Sequence, residues 1–131
     1  WADPEAIADD LNARGLPGVH FRPALFEPTF QKHAQTPCGG CQVHVTDRTV
    51  FRAVETGVAV IDALRSADPA AFQWRQPPYE YEHEKLPIDI LYGSTGLRES
   101  LARGERHDAI AARWAEEMQP FLEIRERYLL Y

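Results

Sequence analysis

The run Cys38-Gly-Gly-Cys-Gln-Val-His-Val-Thr-Asp-Arg48 reads as a Gly-Gly turn leading into a short alternating strand. Successive side chains of a strand point to opposite faces, so Cys41, Val43 and Val45 are expected on one side and Gln42, His44 and Thr46 on the other. The first side suits a core. The second offers an imidazole, an amide and a hydroxyl where the strand runs into Asp47 and Arg48. Two readings fit this pattern: a half-buried strand with a solvated outer face, or a sheet that presents polar groups to a small polar ligand. The strand alone does not decide between them.

Composition narrows the class. A chain of 131 residues supports one domain with its own core and is short for two. With 44% hydrophobic and 26% charged residues it is an ordinary globular sequence, neither a disordered tail nor a fibre. A net charge of -6 argues against nucleic acid as a partner, because phosphate-backbone binders carry a clustered Lys/Arg excess. No apolar run is long enough to span a bilayer, and the N-terminus has no basic segment followed by an apolar signal core. Met118 is the only methionine, so the sequence starts at Trp1 without an initiator and is expected to be a fragment cut from something longer.

The Cys38-x-x-Cys41 spacing invites a metal or redox reading. A structural zinc site wants four ligands in two pairs, and there is no second cysteine pair; His33 and His44 are near in sequence only. A thioredoxin-like pair belongs at the start of a helix, whereas a strand follows here. Packing thiols are the expectation, with a disulfide or a metal site as the alternatives, and no cofactor is called for.

Outward from this strand, Asp3, Pro4, Ile7, Leu11 and Gly15 predict a capped N-terminal helix with a left-handed stop. His20 to Phe30 reads as extended chain, confined to an edge or interrupted by Pro23 and Pro28. Arg22 is the single cation among its apolar residues, either a surface salt-bridge partner or a planar donor for a carboxylate or sugar oxygen. Val54, Val58, Ile61 and Leu64 fall at helical spacing, with Glu55 in the first turn and Arg65 near the end.

In Gln76-Pro-Pro-Tyr-Glu-Tyr-Glu-His-Glu84, Tyr79, Tyr81 and His83 alternate with Glu80, Glu82 and Glu84. That reads as an aromatic ledge for a sugar ring or as a solvated edge strand. Leu86 to Gly93 reads as a short buried strand whose Asp89, between Ile88 and Ile90, needs a partner. A short helix through Leu97 and Leu101 follows, stopping at Gly104. Ile110, Trp114, Met118, Phe121, Ile124 and Tyr128 then form one long apolar helix face, expected to be core and to carry no chemistry, with Pro120 kinking or splitting it. Leu129 to Tyr131 is expected to dock as a C-terminus.

The sum is one α+β domain, a small, largely antiparallel sheet packed with three to four helices. Dinucleotide, Walker, zincin and nucleophile-elbow motifs are absent. A paired-carboxylate glycosidase site could draw on Glu80, Glu82, Glu84, Asp47 and Asp89, but nothing in the sequence sets two of them at the required separation.

Five runs carry a family resemblance: Leu16-Pro-Gly-Val-His-Phe-Arg-Pro, the Cys38 to Arg48 run, Glu55-Thr-Gly, Pro87-Ile-Asp-Ile-Leu-Tyr-Gly-Ser and Tyr128-Leu-Leu-Tyr. Together, in order and over almost the whole chain, they resemble the C-terminal domain of the NamZ family (DUF1343). The resemblance implies an auxiliary domain, residues 1–131, of an exo-β-N-acetylmuramidase that releases N-acetylmuramic acid from the non-reducing ends of peptidoglycan fragments, without metal or organic cofactor. It implies that a Rossmann-like N-terminal catalytic domain, not present in this chain, holds the catalytic glutamate. That domain and a muropeptide or disaccharide are then the partners, the location is extracellular or periplasmic, and this chain alone is inactive.

The candidate substrate-binding residues are those that match these motifs or are polar in apolar runs: Arg22, His44, Thr46, Asp47, Arg48, Tyr81, Glu82 and Asp89. Arg22 or Arg48 would hold the lactyl carboxylate that distinguishes muramic acid from glucosamine. Two other classes stay open: a free-standing carbohydrate-binding module, and a docking domain with no sugar contact.

Overall fold

The structure, a computed structural model, describes residues 1–130. Its elements in chain order are α1 (Pro4–Ala13), β1 (Val19–Phe26), β2 (Cys38–Val45), α2 (Ala53–Ala67), α3 (Pro87–Tyr92), α4 (Gly96–Ala102) and α5 (His107–Glu126). This is the expected α+β class, with β1 and β2 forming an antiparallel pair. The chain divides into two compact units, Trp1–Trp74 and the residues from Arg75 onward.

The first unit is built around α1. The Asp3 carboxylate accepts from the Glu5 and Ala6 amides and Pro4 fills the first turn. Beyond the C-cap, Gly15 takes a positive φ of 65° and turns the chain. Ile7, Ala8 and Leu11 are buried with Leu16, Phe21 of β1 and Ala59 and Ala63 of α2, and Val19, Cys41, Val60 and Leu64 pack at the margin. Two polar contacts orient these parts. Asn12 clasps the strand, its Nδ2 donating to the Phe21 carbonyl (2.8 Å) and its Oδ1 accepting from the Phe21 amide (2.9 Å). Arg14 Nη1 donates to Asp62 Oδ2 of α2 at 2.8 Å and to the Ala59 carbonyl at 3.2 Å, and its Nε and Nη2 reach Asp10.

The first unit differs from the sequence reading in three places. Gly39 and Gly40 are not a turn. They lie inside β2 opposite Leu25 and Ala24, and a Cβ on Gly39 would stand 2.0 Å from the Ala2 carbonyl oxygen, so the strand passes hard against the N-terminal segment. Secondly, Val43 and Val45 share the core side with Cys41 but remain exposed, because α1 is clasped to β1 and leaves the outer strand uncovered. Thirdly, α2 keeps only part of its expected face: Val58 is buried and Leu64 packs at the core margin, but Val54 is 64% exposed, and Thr56, Ala59, Asp62 and Ala63 turn inward beside Val58. Pro23 is tolerated because it follows Phe21 by two residues. Both face away from β2 for hydrogen bonding, so no ladder donor is lost.

In the second unit, the run 86–93 holds the helix α3 (Pro87–Tyr92) and not a buried strand. Pro87 supplies a preset φ at the first position, and Gly93, at φ 87°, closes the end with its amide on the Asp89 carbonyl (3.0 Å). Such stop signals outweigh an Ile-Asp-Ile alternation too short to define a period. Residues 76–84 are likewise no strand: the Tyr79 and Glu82 amides and carbonyls pair across a tight turn in which Glu80 takes φ 51°. The three glutamates therefore never line one face.

The final helix, α5, runs unbroken through Pro120, whose neighbours 115–119 are exposed. Proline removes one N–H bond there, and solvent is at hand for the freed carbonyl. Its apolar face is core only at the start. Ile110 is buried and Trp114 half-buried, but Met118, Phe121, Ile124 and Tyr128 are exposed. Leu129 and Leu130 are exposed rather than docked, and Tyr131 lies outside the described residues. Among the described residues no helix is long and apolar enough to cross a membrane.

The side chains of Arg14 and Asp62 are only 5% and 2% exposed. Removing one partner strands the other charge, a loss of about 3–5 kcal/mol for buried pairs, whereas an apolar replacement of both recovers most of it. Urea unfolding of Arg14→Met, Asp62→Leu and the double variant is expected to show two severe single losses and a milder double one. Additive losses would mean the pair is not coupled.

Candidate functional site

The polar face of the hairpin is set by register. His20 lies opposite His44 and Arg22 opposite Gln42, so two imidazoles and a guanidinium–amide pair share one exposed surface. Arg22 Nη2 donates to Gln42 Oε1. Its partner is therefore a neutral amide and not the carboxylate of a surface salt bridge, which keeps its full charge toward solvent. Sequence reading selected Arg22 and His44 and placed Gln42 on the face of His44, but passed over His20 and the pairing of Gln42 with Arg22. The pairing that brings them in depends on register, which one strand alone does not specify.

Beyond β2 the chain is held by Gly18. Its carbonyl accepts from the Thr46 (2.8 Å) and Asp47 (3.2 Å) amides, and at φ 67° a Cβ there would sit 2.3 Å from the Asp47 carbonyl oxygen. Asp47 Oδ1 accepts from the Thr49 amide (2.8 Å) and hydroxyl (2.6 Å). These two bonds, the hydroxyl's first, hold its carboxyl below the ordinary range. Arg48 and Thr46 are exposed at the same turn. Arg22, His44, Thr46, Asp47 and Arg48 thus belong to one unit, and Tyr81, Glu82 and Asp89 to the other.

In that other unit, Tyr81 is 97% exposed at the tip of the 79–82 turn. Glu82 Oε1 accepts from the Glu84 (2.8 Å) and Lys85 (3.2 Å) amides, which lowers its pKa. Asp89 finds the partner its apolar neighbours demanded. Arg98 Nε and Nη2 grip both oxygens at 2.8–3.1 Å, tying α3 to α4 and raising the guanidinium's own pKa. The aromatic ledge of Tyr79, Tyr81 and His83 does not form. Tyr79 instead lies under the Arg75 guanidinium, 5.3 Å from its ring centre.

Both cysteines are free thiols. Their places in β2, three residues apart, put them on opposite faces, Cys38 across from Phe26 and Cys41 across from Pro23, so they neither chelate together nor close a disulfide. Cys41 packs on the core margin, where burial pushes its pKa up. Among the described residues no three His, Cys, Asp or Glu side chains are grouped to hold a metal ion.

An α+β domain with a clasped hairpin and this helix order has a solved counterpart. A DUF1343 family protein from Bacteroides fragilis NCTC 9343 superposes with a TM-score of 0.78 at 26% identity, over 100% of this chain and 33% of that one. The family model for the C-terminal domain of the exo-β-N-acetylmuramidase NamZ matches residues 1–131, and the chain belongs to that family. The peptidoglycan β-N-acetylmuramidase NamZ of Bacillus subtilis (strain 168) is 35% identical over 125 residues, which are 95% of this chain and 28% of that protein. The chain therefore spans a third or less of the length of these two proteins.

Replacing Thr49 by Ala removes the larger of the two bonds on Asp47 and is expected to move its carboxyl titration upward, read by NMR. Because the folded pKa is lowered, the stability this turn contributes is present above the unfolded value and is lost as pH falls through the folded one. The variant should lose less on acidification than the parent; an unmoved Asp47 midpoint would contradict the assignment.

Proposed function

We infer that this chain acts as the auxiliary domain of a peptidoglycan-degrading exo-β-N-acetylmuramidase, joined to a catalytic domain, and that it contributes contacts to the muropeptide rather than proton transfer. The kinship with the Bacillus protein supports the substrate class. The observation that carries the division of labour is that the three acids among the candidate binding residues, Asp47, Glu82 and Asp89, are already engaged. Asp47 and Glu82 hold their own turns with lowered pKa values, and Asp89 is gripped by Arg98. A glycosidase general acid needs the reverse, a carboxyl whose pKa is raised so that it keeps its proton.

On this reading the hairpin face supplies recognition. Arg22, steadied by Gln42, donates to the lactyl carboxylate, with Arg48 as the alternative cation, while His44 and Thr46 offer contacts to sugar hydroxyls; in the other unit, the exposed Tyr81 ring offers its own face to sugar C–H groups. The exposed apolar side of α5 at Met118, Phe121 and Ile124 suits a covering surface, and the joined catalytic domain is the occupant. That same stripe favours a second reading, a docking domain without sugar contact.

The test is hydrolysis of a chromogenic N-acetylmuramide by this chain, by the catalytic domain, and by the joined protein. Turnover is expected only where the catalytic domain is present. In the joined protein, Arg22→Ala should cut discrimination between N-acetylmuramide and N-acetylglucosaminide by about tenfold or more, the worth of one charge-assisted hydrogen bond. Turnover by this chain alone would overturn the reading. Unchanged discrimination in both Arg22→Ala and Arg48→Ala would remove the hairpin face from lactyl recognition.

A further inference from the structure

The end of α4 and the start of α5 carry a cluster that none of the motifs touches. Gly104, at φ 82°, turns the chain, and the Glu105 amide returns to the Ser100 carbonyl at 3.0 Å. This brings two arginines onto one buried hydroxyl. Arg103 Nη2 and Arg113 Nη2 each donate to Ser100 Oγ at 3.1 Å. Glu105 lies between them, Oε1 accepting from Arg103 Nε (3.0 Å) and Nη2 (2.7 Å), and Oε2 from Arg113 Nη1 (2.6 Å). Those bonds hold the Glu105 carboxyl below its usual range, so it stays ionised and sets both guanidinium planes. Among the described residues no acceptor is matched to Arg103 Nη1 or Arg113 Nε.

Beside them opens a cleft of about 230 Å³, lined by Tyr92, Ser94, Arg103, Arg113, Trp114 and Glu117 among others. Its aromatic wall is fixed, because Trp114 Nε1 donates to the Tyr92 hydroxyl at 2.9 Å. We propose that this cleft is a carboxylate-binding subsite for one compact acylated residue of the muropeptide, its anion on Arg103 and Arg113 and its apolar face on Trp114.

Charge, size and lining each bear on this. Arg103 and Arg113 face Glu105, and Glu117 lines the same cleft, so the attraction for a carboxylate comes from the directed guanidinium N–H groups rather than from a net positive charge. The volume is below the roughly 300–1,000 Å³ of clefts for drug-sized ligands, so it holds one residue and not a chain. Glu117 adds an acceptor for an amide N–H or a hydroxyl, which turns away a bare anion and suits an N-acylated one. The choice of muropeptide rests on the proposed function; the arginine clamp does not. Such a carboxylate comes from the lactyl ether of muramic acid or from the end of a stem peptide, and the chemistry required of the cleft is the same.

The test is an NMR titration of the ¹⁵N-labelled chain with N-acetylmuramic acid, N-acetylglucosamine and N-acetyl-alanyl-alanine. The Trp114 indole N–H and the Arg103 and Arg113 Nε–H signals report this cleft. At least one carboxylate compound is expected to shift them saturably, with N-acetylglucosamine at least tenfold weaker, and whichever carboxylate binds names the source. Arg113→Gln should weaken binding about tenfold or more while Arg52→Gln, at an exposed arginine of the first unit, leaves it unchanged. Arg103→Gln, at a more exposed side chain, serves if Arg113→Gln fails to fold. Silence at these signals for all three compounds, or equal shifts with N-acetylglucosamine, overturns the subsite. Shifts confined to His44 and Gln42 overturn it too, yet leave the proposed function standing.

Discussion

The first unit depends on Arg14. From the last turn of α1 its guanidinium reaches Asp10 on its own helix, Asp62 on α2 and the Ala59 carbonyl, and it is almost wholly buried in doing so. A buried charge without such partners costs several kcal/mol, so the geometry in which all three acceptors are met is strongly preferred to any nearby one. That geometry sets α2 against α1. It also explains why Asp62 and Thr56 sit on the inward face of α2 among Val58, Ala59 and Ala63. Asn12, two residues earlier, applies the same logic to the sheet, its amide standing in for a third strand along β1.

Carboxylates are used here to hold backbone. Asp3, Asp47, Asp68 and Glu82 each accept from amides two or three residues ahead, closing a helix start or a turn. Asp89 and Glu105 do equivalent work through arginines, joining α3 to α4 and α4 to α5. At Asp47, Glu82 and Glu105 these bonds favour the charged form, the opposite of what proton donation to a glycosidic oxygen demands. Arg22, held by the neutral Gln42, and the Arg103–Arg113 pair beside Trp114 are the cations proposed for ligand contact.

Local signals were legible where they are chemically forced. Asp3, Pro4 and Gly15 delimited α1, the alternation in 41–45 marked β2, and the demand for a partner at Asp89 was met by Arg98. The resemblance carried by Leu16 to Pro23, Cys38 to Arg48 and Pro87 to Ser94 reached the family. Legibility failed where two periods competed over a short run. Ile88-Asp-Ile90 fits a strand and a helix equally, and Tyr79 to Glu84 alternates in composition but closes as a turn. The α5 stripe failed for another reason. Apolar periodicity says that a face wants cover, and it does not say that the cover is in this chain: Ile110 has it, Phe121 and Ile124 do not.

The candidate site divides the same way. Sequence by itself determined the class of the domain, the identity of β2 and the polar character of its outer face, because alternation, caps and composition act over a few neighbouring residues. Tertiary structure alone decided that His20 stands opposite His44 and that Gln42 steadies Arg22, that Asp47 and Glu82 are bound to their own turns, and that Arg103 and Arg113 converge on Ser100 beside Trp114. Those facts follow from strand register and from helix ends meeting after a glycine turn, relations between distant residues that no local pattern encodes.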